Sequence, residues 1–79
     1  MNKQEFKIHM VKNHDSQTTL AEAMGLQQSA ISARINGHTE FRQNEINFLI
    51  KRWGLTDSET IKIFFADEVS GKDTDKKGA

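Results

Sequence analysis

The sequence predicts an all-α fold: a compact domain of five short helices. Three observations carry this. The 79 residues contain no proline, so nothing in the chain interrupts helical hydrogen bonding. Apolar residues recur at three- and four-residue spacing, and no stretch alternates as a half-buried strand would. Cap residues and glycines then divide the chain into lengths of one short helix each.

The first helix is expected from about Lys3 to Asn13. Asn2 caps it, and Glu5, three residues on, makes a loose capping box. Phe6, His9 and Met10 share one face, while Ile8 and Val11 fall roughly 170° away at ~100° per residue. A short helix with two apolar faces is either sandwiched or shows one face to a partner. In "HDSQTTLAEAMG", Ser16 caps a second helix over 17–24, with Leu20, Ala21 and Met24 as its stripe and Gly25 as the left-handed residue that closes it. "LQQSAISARING" is the third helix, about 28–36, with Ile31 and Ile35 pointing inward and Gly37 ending it. The short connection around Gly25–Gln27 forces the second and third helices to cross steeply, which is the helix-turn-helix arrangement.

"FRQNEINFLIKRWG" gives a fourth helix, roughly 43–53, with Ile46, Leu49, Ile50 and Trp53 at i, i+3, i+4 and i+7 and Gly54 as its stop. "LTDSETIKIFFADE" gives the fifth, opened by a capping box of Thr56 and Glu59. Its apolar face is assigned to Ile61, Phe64 and Phe65, with Ile63 off that face. From Ser70, "SGKDTDKKGA" has no apolar residue before the terminal alanine. Residues 1–69 are therefore expected to form a single helix-turn-helix domain, and 70–79 a disordered, flexible polar tail.

Composition narrows the function. The chain has no cysteine, which excludes disulfides, thiolate metal sites and cysteine nucleophiles and fits a reducing compartment. No apolar run approaches the ~20 residues of a membrane span, and "MNKQEFKIHM" has no signal-peptide core. A soluble cytoplasmic protein is expected. His9, His14 and His38 lie five and twenty-four residues apart, which matches no metal-ligand pattern. There is no glycine-rich phosphate loop and no spacing that favours a catalytic triad, so no enzyme, cofactor, metal or small-molecule substrate is expected. Net charge is zero, with seven Lys or Arg against five acids in residues 1–53 and four against six in 54–79. Nucleic-acid binders of this size are usually basic, because phosphate neutralisation supplies most of their non-specific affinity.

The third helix carries most of the chemistry. Gln and Asn pair bidentately with adenine, Ser with several base edges, and Ala touches a thymine methyl. With Ile31 and Ile35 inward, Gln28, Ser29, Ser32 and Ala33 point outward. Gln17 and Thr18 begin the second helix, where free backbone N–H groups can donate to a phosphate. Arg34 and Arg42, with Lys51 and Arg52, are either phosphate contacts or ordinary solvated charges.

"SQTTLAEAMGLQQSAIS" resembles the helix-turn-helix of the Cro/repressor family of temperate phages, and "GLQQSAIS" is close to the same element of the lambda Cro protein. Outside the motif, "NGHTEFRQNEI" and "IKIFFA" look like small all-helical Cro-like regulators from phages of low-GC Gram-positive bacteria. The resemblance covers about Phe6 to Ala66. It implies a lambda-repressor-like DNA-binding fold in a bacterial host cytoplasm. It places Gln17 and Thr18 at phosphate-contacting positions, Ala21 in the tight helix contact, Gly25 in the turn, and Leu26 and Ile31 in the core. It also places Gln27, Gln28, Ser29, Ser32 and Ala33 at DNA-contacting positions. Four residues depart from the family pattern. Ala33 stands where relatives often carry Lys or Arg, and Gln27 and Arg42 stand where Ser or Thr normally caps a helix. His14 falls on a position implied to be apolar and is expected to be a partly buried structural histidine.

Two roles follow as expectations. The first is a Cro-like transcriptional regulator that binds double-stranded operator DNA in the major groove. As a homodimer it would set two recognition helices ~34 Å apart. The second is an antirepressor of the modulator-of-repression kind, acting on the lytic–lysogenic switch by binding the phage's own CI-type repressor. Its candidate partner-binding residues are the off-core apolar side chains Ile8, Val11 and Ile63, since clustered exposed apolar groups mark interaction surfaces.

Overall fold

A computed structural model describes residues 1–65. Five helices follow one another: α1 (Lys3–Lys12), α2 (Gln17–Met24), α3 (Gln28–Ile35), α4 (Gln43–Trp53) and α5 (Asp57–Thr60). The last runs on into a wider π-type turn over Ile61–Phe65. Among the described residues there is no strand, and no helix is long and apolar enough to cross a membrane. The tail expected from Ser70, and the domain boundary before it, lie outside the described residues.

The starts of these helices are written in short polar side chains. Asn2 Oδ1 accepts from the Glu5 amide at 3.1 Å. Ser16 and Thr19 exchange bonds, each side chain accepting the other's backbone N–H, at 3.2 and 2.8 Å. Thr56 and Glu59 do the same at 3.1 and 2.9 Å. Each such cap satisfies orphan amides and is typically worth about 1 kcal/mol. Gln27 makes no side-chain cap. Arg42 has no acceptor atom to cap with, so only the returning half of a box forms, with Glu45 Oε1 accepting from the Arg42 amide at 2.9 Å.

Each helical segment sends one side chain to full burial: Phe6, Leu20, Ile31, Leu49 and Ile63. Phe6 sits at the centre. Its ring lies 5.2 Å from Phe41, 5.1 Å from Trp53 and 6.1 Å from Phe64, centroid to centroid. Burying a side chain of this size contributes roughly 1.5–3 kcal/mol. These five side chains therefore hold α1–α4 and the final turn on one core, and they fix which faces are left over.

Two expectations are corrected here. Ile63 is completely buried, whereas Ile61 and Phe65 are exposed. The inward face is Thr60, Ile63 and Phe64, one position earlier than the purely apolar choice. Thr60 can occupy a buried position because its hydroxyl donates to the Thr56 carbonyl at 2.9 Å, leaving no unsatisfied polar group. Ile63 is therefore not a surface residue and leaves the candidate partner face. His14 is exposed, with φ of 60°, and forms part of the tight reversal after α1. The buried histidine is His9, stacked on Trp53.

Candidate functional site

α2 ends at Gly25, whose φ of 68° is left-handed, and the Leu26 amide returns to the Ala21 carbonyl at 2.9 Å. Three residues, Gly25 to Gln27, separate the two helices. Leu26 is half-buried and packs on the core. α2 and α3 then pack directly on each other, and Leu20, Ala21, Ile31 and Ile35 all belong to the core cluster.

Turning Ile31 and Ile35 inward leaves Gln27, Gln28 and Ser29 exposed and Ser32 and Ala33 half-buried. Ser32 is engaged locally, with Asn36 Nδ2 donating to its carbonyl at 3.0 Å and its Oγ at 3.2 Å. At the start of α2, Thr18 is exposed and Gln17 half-buried. Their amides, in the first helical turn, have no intrahelical acceptor.

Arg34 is placed differently from the expectation. Its side chain is only 12 % exposed. Nε donates to Glu45 Oε1 at 2.8 Å and Nη2 to Oε2 at 3.0 Å, while Nη1 reaches the Ala30 carbonyl at 3.1 Å. A two-pronged pair of this kind fixes both groups in direction as well as distance. The guanidinium thus ties α3 to α4 and is not presented to a ligand on the α3 face. Burial pushes the Glu45 carboxyl up, but the Arg34 guanidinium and the Arg42 amide outweigh it and hold the group below its usual range.

A second network takes up another cation. Asp15, between α1 and α2, accepts from Arg52 Nε and Nη2, each at 2.9 Å, and from Trp53 Nε1 and Thr19 Oγ1, each at 2.7 Å. The Arg52 guanidinium, with Trp53 and Thr19, holds the Asp15 carboxyl far below the usual carboxylate range, and Asp15 in turn raises Arg52. Of the four cations that could contact phosphate, Arg34 and Arg52 are held in ion pairs, Arg34 largely buried and Arg52 still at the surface; Arg42 and Lys51 are exposed. The α3 face offers amides and hydroxyls with no available charge of its own.

On the far side of α1, Ile8 is 51 % and Val11 75 % exposed. A separate cleft of about 340 Å³ lies between the start of α1 and the α3–α4 loop, lined by Met1, Ile35, Phe41, Phe64 and Phe65 among others. Among the described residues no group of three or more His, Asp or Glu is arranged to hold a metal ion.

The Arg34–Glu45 and Asp15–Arg52–Trp53 networks are not legible in the sequence. Both join polar side chains distant in the chain, which no periodicity marks. Comparison with protein-family models, curated proteins and solved structures finds no match.

Proposed function

We propose that the chain is a regulator of a temperate-phage genetic switch, acting as a Cro-like helix-turn-helix DNA-binding protein. The observation that carries this is the pairing of α2 and α3 through the left-handed Gly25 turn, with Gln27, Gln28 and Ser29 exposed on α3. Together with the sequence resemblance, this supports insertion of α3 in the major groove. Gln28, Ser29 and Ser32 read base edges, Ala33 meets a thymine methyl, and Gln17, Thr18 and Arg42 hold phosphates. With Arg34 and Arg52 engaged elsewhere, few phosphates are neutralised, so affinity is modest and specificity rests on the amides.

The test is fluorescence anisotropy on duplex DNA from the chain's own switch region, at low and near-physiological salt. Sequence-specific binding that Gln28→Ala and Ser32→Ala abolish is the expected result. Equal binding to random DNA, lost with salt, counts against it.

The antirepressor role stands second. The observations favouring it are the exposure of Ile8 and Val11 and the internal pairing of two arginines. In that role the partner is the phage's own repressor.

A further inference from the structure

The outer strip of α1 has a definite composition. Ile8 and Val11 are neighbours at i, i+3 and lie at its centre, with exposed Gln4 one turn before Ile8. Lys7 lies one turn before Val11, and Lys12 one turn after Ile8. The two lysines are therefore on opposite flanks of the strip, roughly 140° apart at ~100° per residue and ~7.5 Å along the axis. Both are exposed, and among the described residues neither has an ion pair. The acid on the same helix, Glu5, is occupied by Lys62 at 3.7 Å.

Among the described residues nothing packs on Ile8 and Val11 in a way that asks for branched apolar side chains there. α1 is already anchored on the core through Phe6, His9 and Met10. Val and Ile are poorer helix formers than Ala or Lys and gain nothing from exposure. A phosphate backbone would leave both side chains without a partner. A lipid surface needs a wide apolar face, and the other face of α1 is committed to the core. What fits is an apolar depression that takes Ile8 and Val11, rimmed by carboxylates that meet the two ammonium groups.

We propose that the strip Ile8–Val11, between Lys7 and Lys12, is a docking surface for a protein that presents an apolar depression with acidic residues on both sides. This rests on the antirepressor role and specifies the chemistry of that contact. Because the contact is small, Ile8 and Val11 act as its anchor and the lysines steer and orient it.

The test is calorimetric titration of the full chain against the purified repressor of the same phage. Variants Ile8→Ser/Val11→Ser and Lys7→Glu/Lys12→Glu are checked first for unchanged helical content and melting temperature. Each double variant is expected to weaken binding about tenfold or more. Added salt is expected to weaken the wild type and to have less effect on Lys7→Gln/Lys12→Gln. If the wild type binds the repressor and both double variants bind equally well, the strip is overturned and the antirepressor role stands. No binding by the wild type removes that role and the strip with it. If the same variants instead lose binding to operator DNA, or to vesicles of phosphatidylcholine and phosphatidylglycerol in equal parts, the face belongs to phosphate or lipid and the proposal is likewise overturned.

Discussion

Trp53 donates its indole N–H to Asp15 Oδ2 at 2.7 Å, joining the end of α4 to the loop between α1 and α2 across 38 positions of chain. The Asp15 side chain is 4 % exposed and accepts from Arg52 and Thr19 as well. Replacing it with alanine leaves a buried indole N–H without an acceptor and the Arg52 guanidinium without its pair. Leaving the buried indole N–H unsatisfied costs about 1–3 kcal/mol, and losing the solvent-screened Arg52 pair adds less than about 1 kcal/mol. Asp15→Ala should therefore lower the urea midpoint of unfolding sharply, followed by Trp53 fluorescence. Asp15→Asn should fall between, since it retains an acceptor oxygen but loses the charge. A midpoint unchanged in Asp15→Ala would show that the network does not hold these segments together.

The same carboxylates set the acid limit of the fold. Arg52 holds Asp15 below its ordinary value, and Glu45 is also lowered, burial being outweighed by Arg34 and the Arg42 amide. A group whose folded-state value is depressed binds fewer protons folded than unfolded. Its stabilisation is complete above the ordinary carboxylate range of ~4 and is lost as pH falls through the folded value. Stability to urea should be level from about pH 7 to 5 and fall progressively below about pH 4. Asp15→Asn should flatten part of that fall. An identical acid profile in wild type and Asp15→Asn would remove Asp15 as a source.

If the proposed DNA-binding role holds, Arg34 and Arg42 should separate in their effects on DNA. The Arg34 guanidinium is turned to Glu45, so Arg34→Ala should cost stability, about 3 kcal/mol, by stranding a buried carboxylate. Arg34→Met with Glu45→Leu should recover much of that loss, because no charge is left unpaired. Arg42 is exposed, and Arg42→Ala should leave stability nearly unchanged while lowering the slope of log K against log salt by about 1. A change in that slope for the Arg34→Met/Glu45→Leu protein would mean that Arg34 does reach a phosphate.

What was legible in the sequence is what repeats locally. The caps at Asn2, Ser16 and Thr56 and the glycine stops follow from short-range hydrogen bonding and backbone conformation. The buried faces Phe6/Met10, Leu20/Ala21, Ile31/Ile35 and Ile46/Leu49/Trp53 follow from helical spacing. The fifth helix misled because two triads, Ile61/Phe64/Phe65 and Thr60/Ile63/Phe64, satisfy the same spacing. Hydrophobicity favours the first, and a threonine able to bond its own backbone permits the second. On α3 the amide face was legible, but the placement of Arg34 was not. Its direction depends on Glu45, whose position is fixed only once α3 and α4 pack. Phe41 carries no sequence signal for the same reason: it lies outside every helix, yet stacks on Phe6 and meets Phe64 edge-on.

Gly25 and His14 share a left-handed backbone, with φ of 68° and 60°, but only one is a glycine. A Cβ at Gly25 would meet nothing within 4 Å, so Gly25→Ala adds conformational strain without a clash. A non-glycine residue in this region costs roughly 1 kcal/mol. His14 already bears that cost, since it is exposed and its amide bonds the Val11 carbonyl at 3.1 Å in the reversal after α1. Gly25→Ala should therefore destabilise, and His14→Gly should stabilise, each by on the order of 1 kcal/mol, or ~4–8 °C in melting temperature for a domain of this size. Opposite signs in thermal melts would show that backbone conformation governs both turns. A destabilising His14→Gly would mean that the imidazole makes a contact worth more than the strain, and would return His14 to the structural role expected of it from the sequence.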